Sequence, residues 1–383
     1  MHVCFVAHEF HPPFNEGTRT LLRNLIYALK SEGVEVSVVS SIMDGFQKES
    51  GCMYAEYSWV KDLSERLKKL IPIEYECDFI LNYRMCSLIK SIEKKKEIDL
   101  IYACSGSNSL FLFFSKVFLR KPFVAQMLKG AKYEKLINAL SIHKKVDAYI
   151  TTSHEDWMHW KDRVTIYKIN PPIPSDIYKP LDKGEVREVL GIPHDDFVIT
   201  YVGHLHDHHS IRFPIGLIKE LKDLNIKIYL YPPRENKAYS KMIMDSGAKN
   251  VTIRVKSLRE YEKVMVYNAS DVLMFPFGGE VSRHRIVIDP PLTVLEAMSC
   301  GKPVIASKIL SIPFIIRDEK NGFLVEPDNF KLFKQKVIEI AEGCYDTKNI
   351  GKNARETIIK NFSPKDIAQK VKDVCREVIE NAN

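Results

Sequence analysis

Two successive series of alternating strand-like and helix-like patterns constrain the fold of this chain more than any other feature. In the first series, Val3–Ala7 is an apolar run, residues 21–29 repeat leucine and isoleucine at helical spacing, and residues 34–39 are rich in valine. Such a strand–helix–strand unit normally forms part of a buried parallel sheet. A second series begins at Phe197–Val202. The sequence therefore predicts an α/β protein with two doubly wound sheets.

A proline-rich stretch separates the two series and predicts a domain boundary. Residues 170–175 read Asn-Pro-Pro-Ile-Pro-Ser, which excludes a regular helix and stiffens the chain. At about 100–200 residues per domain, a chain of 383 residues also suggests two domains. A final helix is predicted from Ser363, with Pro364 in its first turn. We predict segments of 1–172, 173–362 and 363–383, with a ligand site in a central cleft between the two halves.

The charge and cysteine content narrow the classes of partner and compartment. The formal net charge is +7, which favours anionic ligands and leaves a solvated basic surface and a membrane-surface role both open. The basic residues are spread along the chain without aromatic–basic repeats, which argues against nucleic acid as a partner. The eight cysteines form no CxxC pair, and we find neither a signal peptide nor an apolar run long enough to span a bilayer. We therefore expect a cytoplasmic protein, either free or peripheral on the inner face of the membrane.

The segment Asp289–Ser307 carries the strongest local indication of function. Its pattern predicts a loop, a helix start near residue 291, a tight turn and a short strand. Backbone N–H groups and the helix dipole at such a start favour an anion such as a diphosphate. Glu296, about one turn further on, suits hydrogen bonds from sugar or ribose hydroxyls, although a solvent-facing glutamate would show the same spacing. The donor-binding candidates at the helix start are Pro291, Leu292, Thr293 and Val294.

This segment resembles the signature of glycosyltransferase family 4, the group 1 glycosyltransferases. The family signature reads Glu-Gly-Phe-Gly-Leu-Pro-x-x-Glu-Ala-Met-Ala-Cys-Gly-x-Pro-Val-Ile-Ala, and the match is close from Leu295 to Ser307. Similar pieces occur along most of the chain: the Pro12-Pro13 loop before Gly17, Gly203 after a strand, and the run Asn321–Val325. Each short piece is weak alone, but their combination is specific.

The resemblance implies both an architecture and a reaction. It implies a GT-B fold in which two Rossmann-like domains face a central cleft, an acceptor domain at 1–172, a nucleotide-sugar domain at 173–362, and a last helix that crosses back. It also implies a retaining, hexosyltransferase-type enzyme of glycan biosynthesis that needs no metal or other cofactor. The expected donor is a UDP- or GDP-sugar, and the expected acceptor is a hydroxyl of a lipid-linked or glycan substrate.

The chain departs from the family at the first signature glutamate. The two family glutamates are eight positions apart, and the residue eight positions before Glu296 is Ile288. Asp289 is one place off and is the expected stand-in, with Glu280 as a weaker one. This departure places the contact to the donor sugar in question, whereas the resemblance assigns a ribose contact to Glu296.

A second departure concerns the cations that face the donor diphosphate. The family has an arginine and a lysine after the first strand of the second domain, where this chain has His204 and His209. An imidazole with a pKa near its reference value of about 6.5 is only partly charged at neutral pH, and a bound diphosphate would favour the charged form. Arg283 and Arg285 are candidates for a permanent charge. The four histidines between 204 and 209 also leave a metal site or a plain solvated loop as alternatives.

A third departure lies in the first domain, where family histidines correspond to Cys104 and to residue 128 or Lys129. With Asp289, Cys104 and Lys129 are the candidate catalytic residues. Gly17 is a donor-binding candidate, because a glycine at a helix start lets a ligand approach the backbone closely. Thr18 and Arg19 are the acceptor-binding candidates.

These departures leave two further interpretations besides an active glycosyltransferase. One is a degenerate GT-B protein that binds a nucleotide sugar or a partner subunit without turnover. The other is a GT-B epimerase, for which the sequence contains no supporting motif.

Overall fold

A computed structural model describes residues 1–7, 10, 16–40, 53–56, 85–104, 119–127, 146–205, 212–221, 224–278 and 288–382. The chain divides into two compact units. Unit 1 comprises Met1–Pro172 together with Pro364–Asn383, and unit 2 comprises Ile173–Ser363.

Unit 1 is built on a parallel sheet of seven strands in the order β3-β2-β1-β4-β5-β6-β7. Its strands are β1 (His2–Ala7), β2 (Glu35–Ser40), β3 (Met53–Glu56), β4 (Leu100–Cys104), β5 (Phe123–Met127), β6 (Ala148–Thr151) and β7 (Ile166–Lys168). Its first two named helices are α1 (Gly17–Ser31) and α2 (His154–Trp160), and residues 85–93 are also helical. Strands β1, β4 and β6 are fully buried, as expected for a parallel sheet covered on both faces.

Unit 2 contains a parallel sheet of six strands in the order β10-β9-β8-β11-β12-β13. Its strands are β8 (Phe197–Val202), β9 (Ile226–Tyr231), β10 (Val251–Ile253), β11 (Val272–Phe275), β12 (Val304–Ser307) and β13 (Phe323–Val325). Its helices are α3 (Lys183–Leu190), α4 (Arg212–Glu220), α5 (Lys237–Asp245), α6 (Glu260–Ala269), α7 (Leu292–Ser299), α8 (Phe330–Ala341) and α9 (Thr347–Asn361).

The last helix, α10 (Pro364–Ala382), belongs to unit 1 although the chain reaches it from unit 2. Its apolar stripe is buried and packs in unit 1 beside α1. Two polar contacts reinforce this packing: the Lys372 ammonium donates to the Glu32 carbonyl oxygen at 2.7 Å, and the Tyr167 hydroxyl donates to the Glu377 carboxylate at 2.7 Å. The end of the chain therefore completes the core of the unit that its beginning forms.

The prediction of two doubly wound α/β halves is confirmed, and the differences concern short strands. The sequence predicted no strand at β3 or β7. Strand β7 has only three residues, at the edge of its sheet, and none of them is buried. Three residues show too little alternation for a strand to be recognised from the sequence. Pairing with β6 in the folded sheet makes this segment a strand.

In both sheets the strand order reverses at one point, and a ligand site is expected there. In unit 2, β8 lies between β9 and β11, so the connections that leave β8 and β11 run in opposite directions. A crevice opens at the carboxyl ends of the strands at such a switch point. The segments that follow β8 and β11 therefore mark the candidate site in this unit.

Candidate functional site

The switch point of unit 2 brings the end of β8 and the end of β11 close to the start of α7. A small pocket lies there between the sheet and the first turns of α7. It is lined by Val202, Leu273, Met274, Phe275, Thr293, Val294, Ala297 and Val304. The structure thus brings together two of the predicted donor-binding residues, Thr293 and Val294, with the strand that precedes Gly203 and His204.

Helix α7 begins where the sequence predicted, with Pro291 as its N-cap residue and Leu292 as its first helical residue. Proline has no side-chain oxygen, and no side chain caps this helix start. Pro291, Leu292 and Val294 are buried, whereas Thr293 is half-buried. Backbone N–H groups at such a start, together with the helix dipole, suit an anionic ligand.

Glu296 is buried inside unit 2, so the alternative of a solvent-facing glutamate is wrong. The residue is 1% exposed and faces α6. The Lys263 ammonium donates to Glu296 Oε1 at 2.8 Å and to Oε2 at 3.0 Å, and the Tyr267 hydroxyl donates to Oε2 at 2.7 Å. Burial, followed by the neighbouring Glu296 charge, raises the pKa of Tyr267 well above its ordinary value. The hydroxyl therefore stays protonated and remains a donor.

Lys263 and Tyr267 are site residues that were not predicted from the sequence. They stand four positions apart on α6 and therefore share one face of that helix. This spacing is the one feature of the sequence that indicates a shared role for the two residues. It does not predict which carboxylate they contact. That carboxylate lies 33 positions from Lys263 along the chain.

Asp289, the expected stand-in for the missing glutamate, is buried and already bonded. Its carboxylate accepts from the Ser311 backbone N–H at 2.9 Å and from the Ser311 hydroxyl at 2.8 Å. These bonds tie the segment before α7 to the short 3₁₀ helix Ile312–Phe314. Ile288 is buried as well. The Asp289 carboxylate thus holds this loop in place through Ser311. Its contact to a donor sugar stays a prediction.

The backbone after β8 follows a path that disfavours a side chain at Gly203. The Tyr201 hydroxyl donates to the His204 carbonyl oxygen at 2.8 Å. A Cβ atom on Gly203 would lie 3.1 Å from that hydroxyl oxygen, a tighter contact than side chains normally make. The His204 side chain is exposed at this edge of the sheet. His209, Arg283, Arg285, Lys129 and Glu280 lie outside the described residues.

In unit 1, Gly17, Thr18 and Arg19 form the first turn of α1. The Arg19 guanidinium lies 3.6 Å from the Glu16 carboxylate. Cys104 is the last residue of β4 and is 2% exposed, and burial raises the pKa of its thiol to about 12. A protonated, shielded thiol is a poor nucleophile and a poor base. Cys104 therefore has no part in the reaction proposed below.

Thiol labelling checks this assignment. Of the six described cysteines, Cys344 is exposed and the other five, Cys104 among them, are buried. We expect iodoacetamide at neutral pH to alkylate Cys344 in the folded protein and to modify Cys104 only after denaturation, because thiolate and access are both required. Peptide mass spectrometry with and without urea measures both. Alkylation of Cys104 at the rate of Cys344 in the folded protein would contradict the buried environment.

The structure also bears on two other possibilities, a metal site and a membrane-spanning helix. Among the described residues, no three histidine, cysteine or acidic side chains come together as a metal site would require. Most of the histidine segment 204–209 lies outside those residues. Within the same described part of the chain, no helix combines the length and apolar character needed to span a bilayer.

Comparison with known families finds a match within unit 2. The family model for group 1 glycosyl transferases matches residues 182–357, which contain β8–β13 and Glu296. This part of the chain is therefore similar to group 1 glycosyl transferases. The matched region holds the pocket, the start of α7 and the Lys263–Glu296 pair, whereas the first residues of α1 lie outside it.

Two relatives of the chain by sequence are named as glycosyltransferases. The chain is 26% identical over 173 residues to the D-inositol 3-phosphate glycosyltransferase of Mycobacteroides abscessus, covering 44% of this chain and 37% of that protein. It is 22% identical over 223 residues to the protein of the same name from Saccharomonospora viridis, covering 55% and 50%. The chain therefore spans half or less of the length of these two relatives.

Solved structures resemble the whole chain, including unit 1. A glycosyltransferase from Rickettsia africae superimposes with a TM-score of 0.77 at 17% identity and covers 99% of both chains. Sucrose-phosphate synthase from Thermosynechococcus elongatus gives 0.76 at 17% identity and the same coverage. The Anabaena protein HepE in complex with UDP-glucose gives 0.73 at 17% identity, covering 98% of this chain and 100% of that one. The chain thus has the GT-B fold, and the region matched by the group 1 model lies in its second Rossmann-like half.

Proposed function

We propose that this protein is a glycosyltransferase that moves a hexose from a UDP- or GDP-sugar to a hydroxyl of a lipid-linked or glycan acceptor, with retention of anomeric configuration. The observation that carries the proposal is the start of α7, with Glu296 behind it, at the switch point of the region matched by the group 1 model. The HepE complexes with UDP and with UDP-glucose support a nucleotide-sugar donor.

In the proposed reaction, the bond from the anomeric carbon to the diphosphate breaks while the acceptor oxygen bonds to the same face of that carbon. An oxygen of the departing diphosphate takes the acceptor proton, so no side chain is needed as the base. The protein stabilises the negative charge that develops on the diphosphate and the oxocarbenium-like sugar. We assign the first task to the N–H groups of Leu292 and Thr293 and to His204, with His209, Arg283 and Arg285 as further candidate cations. No metal ion or other cofactor is assigned a role.

For the acceptor, we propose Thr18 and Arg19 at the start of α1, with Gly17 allowing the donor phosphates to approach the backbone. We also propose peripheral association with the cytoplasmic face of a membrane. The net charge of +7 supports this, and so does α2, in which no residue is buried and Trp157 and Trp160 are partly exposed. Cosedimentation with anionic vesicles, compared with neutral ones, tests the association.

Incubation with radiolabelled UDP- and GDP-sugars tests the enzymatic proposal. We expect one donor to raise the melting temperature and to be hydrolysed slowly to free sugar, because water replaces the acceptor. A second candidate function is nucleotide-sugar binding without turnover, favoured by Ile288 at the glutamate position and by the bonds from Asp289 to Ser311. A thermal shift without hydrolysis or transfer would select that function. The absence of both effects with every donor would reject the proposal.

Replacement of His204 with alanine tests the diphosphate contact. We expect the affinity for the nucleotide diphosphate to fall by about 5–10-fold, since a charge-assisted hydrogen bond is lost. The loss should be greater below a pH of about 6.5 than above it, because a bound diphosphate favours the charged form of an imidazole. The control is His194→Ala, because His194 is exposed before the opposite, amino end of β8. Calorimetry that finds equal affinities for His204→Ala and wild type at both pH values would reject the contact.

A further inference from the structure

We propose that Ser307 and Ser311 clamp the two ends of the connection between β11 and α7, and that both are positioning residues for the donor. Ser307 holds the first end through Phe277. Ser311 holds the second end through Asp289. This inference rests on the proposed function and deepens it, because it names side chains that act on donor binding without touching the donor.

The first end of the connection is held where the pairing of β11 with β12 stops. The last paired residues are Phe275 and Ala306. Beyond them, the Phe277 backbone N–H donates to the Ser307 hydroxyl at 2.8 Å, and both residues are buried. The rings of Phe275 and Phe277 lie 4.3 Å apart. A side-chain hydroxyl thus continues the hydrogen bonding of the sheet past the end of the strand, and it fixes the direction in which the chain leaves β11.

The second end of the connection is held by a carboxylate. Asp289 comes directly before the two prolines that lead into α7, and it accepts from both the backbone N–H and the hydroxyl of Ser311. Asp289 and Ser311 are buried, so water competes little for these bonds. The neighbouring Ile312 side chain, fully buried, anchors Ser311 in the core. Hydrogen bonds to a carboxylate are stronger than those between neutral groups, so we expect this end to contribute more than the first.

The segment 307–311, which supplies both serines, is itself fixed to the sheet. The Lys308 backbone N–H donates to the Val325 carbonyl oxygen of β13 at 2.8 Å. Leu310 has a φ of +53°, a left-handed conformation that a bulky side chain rarely adopts. Such residues persist where the surrounding structure determines them, and they cluster at functional sites. Leu310 lies between the two serines, so its conformation helps to set how far apart the two held ends are.

Two effects on the donor follow from a clamp at this place. The first turn of α7 begins just beyond Asp289, so a fixed Asp289 orients the N–H groups of that turn before the diphosphate arrives. The Asp289 carboxylate is also kept in its bonds to Ser311, which reduces its repulsion of a diphosphate at the start of the helix. Both effects act on the diphosphate, so the clamp should favour the nucleotide with or without its sugar.

Calorimetry of serine variants tests the clamp, with UDP, GDP, UDP-glucose and GDP-mannose as ligands. For Ser311→Ala we expect the affinity for the nucleotide to fall by about 5–10-fold, and the affinity for its sugar nucleotide to fall by the same factor. For Ser307→Ala we expect a fall of about threefold, since the bond that is lost joins neutral groups. This second variant tests the clamp even if Ser311→Ala does not fold. Ser307→Thr keeps the hydroxyl and suits the end of a strand, so it should bind within about twofold of wild type.

The matched control is Ser270→Ala, which removes a buried hydroxyl just before β11, at the opposite, amino end of that strand. The Ser270 hydroxyl donates to the Val266 carbonyl oxygen at 2.8 Å. We expect this variant to lower the melting temperature about as much as Ser307→Ala does, but to keep the wild-type affinity. Equal weakening of binding by Ser270→Ala would overturn the inference, because stability alone would then explain the losses.

Two other results would also overturn the inference. One is wild-type affinity in both Ser311→Ala and Ser307→Ala. The other is a loss confined to the sugar nucleotides, which would indicate a direct contact to the sugar instead of a positioned helix start. Failure of wild type to bind any of the four ligands would instead overturn the proposed function.

Discussion

Replacement of Arg187 with methionine is expected to lower the free energy of unfolding of unit 2 by about 3–5 kcal/mol, the range for a buried charge that loses its partner. Arg187 lies in α3 and is 1% exposed, the largest side chain buried to this degree among the described residues. Its guanidinium donates to the Asp271 carboxylate at 2.8 Å and to four backbone carbonyl oxygens. The carbonyls belong to Ala269, Pro193, His194 and Asp196.

The physical reason is that methionine replaces the volume but none of the donors. Asp271 also accepts from the Val198 backbone N–H at 2.7 Å, at the beginning of β8. The guanidinium therefore joins α3, the segment before β8 and the segment before β11 through one fork of hydrogen bonds. Without it, buried carbonyl oxygens lose their partners, and each unsatisfied group costs about 1–3 kcal/mol.

The matched control is Lys183→Met, which removes the other cation at the same carboxylate. The Lys183 ammonium lies 2.8 Å from the Asp271 carboxylate, but its side chain is 48% exposed. An exposed pair of this kind contributes at most about 1 kcal/mol. Urea denaturation, with hydrogen exchange of the β8 and β11 amides to report on unit 2, measures both variants. Equal losses for the two would contradict the role given to the buried fork.

Replacement of Gly351 with alanine is expected to destabilise unit 2 by about 2 kcal/mol, although alanine normally favours a helix over glycine by about 1 kcal/mol. Gly351 lies in α9, and a Cβ atom there would stand 2.1 Å from the Gly301 carbonyl oxygen. Gly301 follows α7 with a φ of +71° and so turns the chain towards β12. Because the obstacle is backbone, relief of the clash requires α9 or that turn to move.

Gly216→Ala is the control for this substitution. Gly216 is also helical, in α4, and a Cβ atom there would stand 2.6 Å from the tip of the Phe330 ring. Phe330 is half-buried, so its side chain can shift, and the net effect should stay within about 1 kcal/mol. We expect the melting temperature to fall by about 4–8 °C for Gly351→Ala and to change little for Gly216→Ala. A Gly351→Ala protein at least as stable as wild type would contradict the close approach of α9 to the turn.

The same hydrogen bond recurs at the carboxyl ends of strands in both sheets. In unit 1, the Phe10 backbone N–H donates to the Ser40 hydroxyl at 2.9 Å, and in unit 2, the Phe277 backbone N–H donates to the Ser307 hydroxyl at 2.8 Å. In each case the serine ends a strand, and the phenylalanine follows a strand of the same sheet. The serine hydroxyl thus holds the backbone at the carboxyl edge, where the ligand site of a doubly wound sheet is expected.

The sequence by itself determined the two doubly wound halves, the start of α7 and the position of Glu296 on that helix. These features depend on periodicity over a few neighbouring residues, and the backbone obeys that periodicity wherever the segment lies. Only the tertiary structure decided what each polar side chain meets. Glu296 meets Lys263, and Asp289 meets Ser311, across 33 and 22 positions of the chain. The crossover connections of the sheet bring such partners together in space. A buried charged group needs a hydrogen-bond donor nearby in the folded protein, and the spacing of residues along the chain does not predict which donor that is.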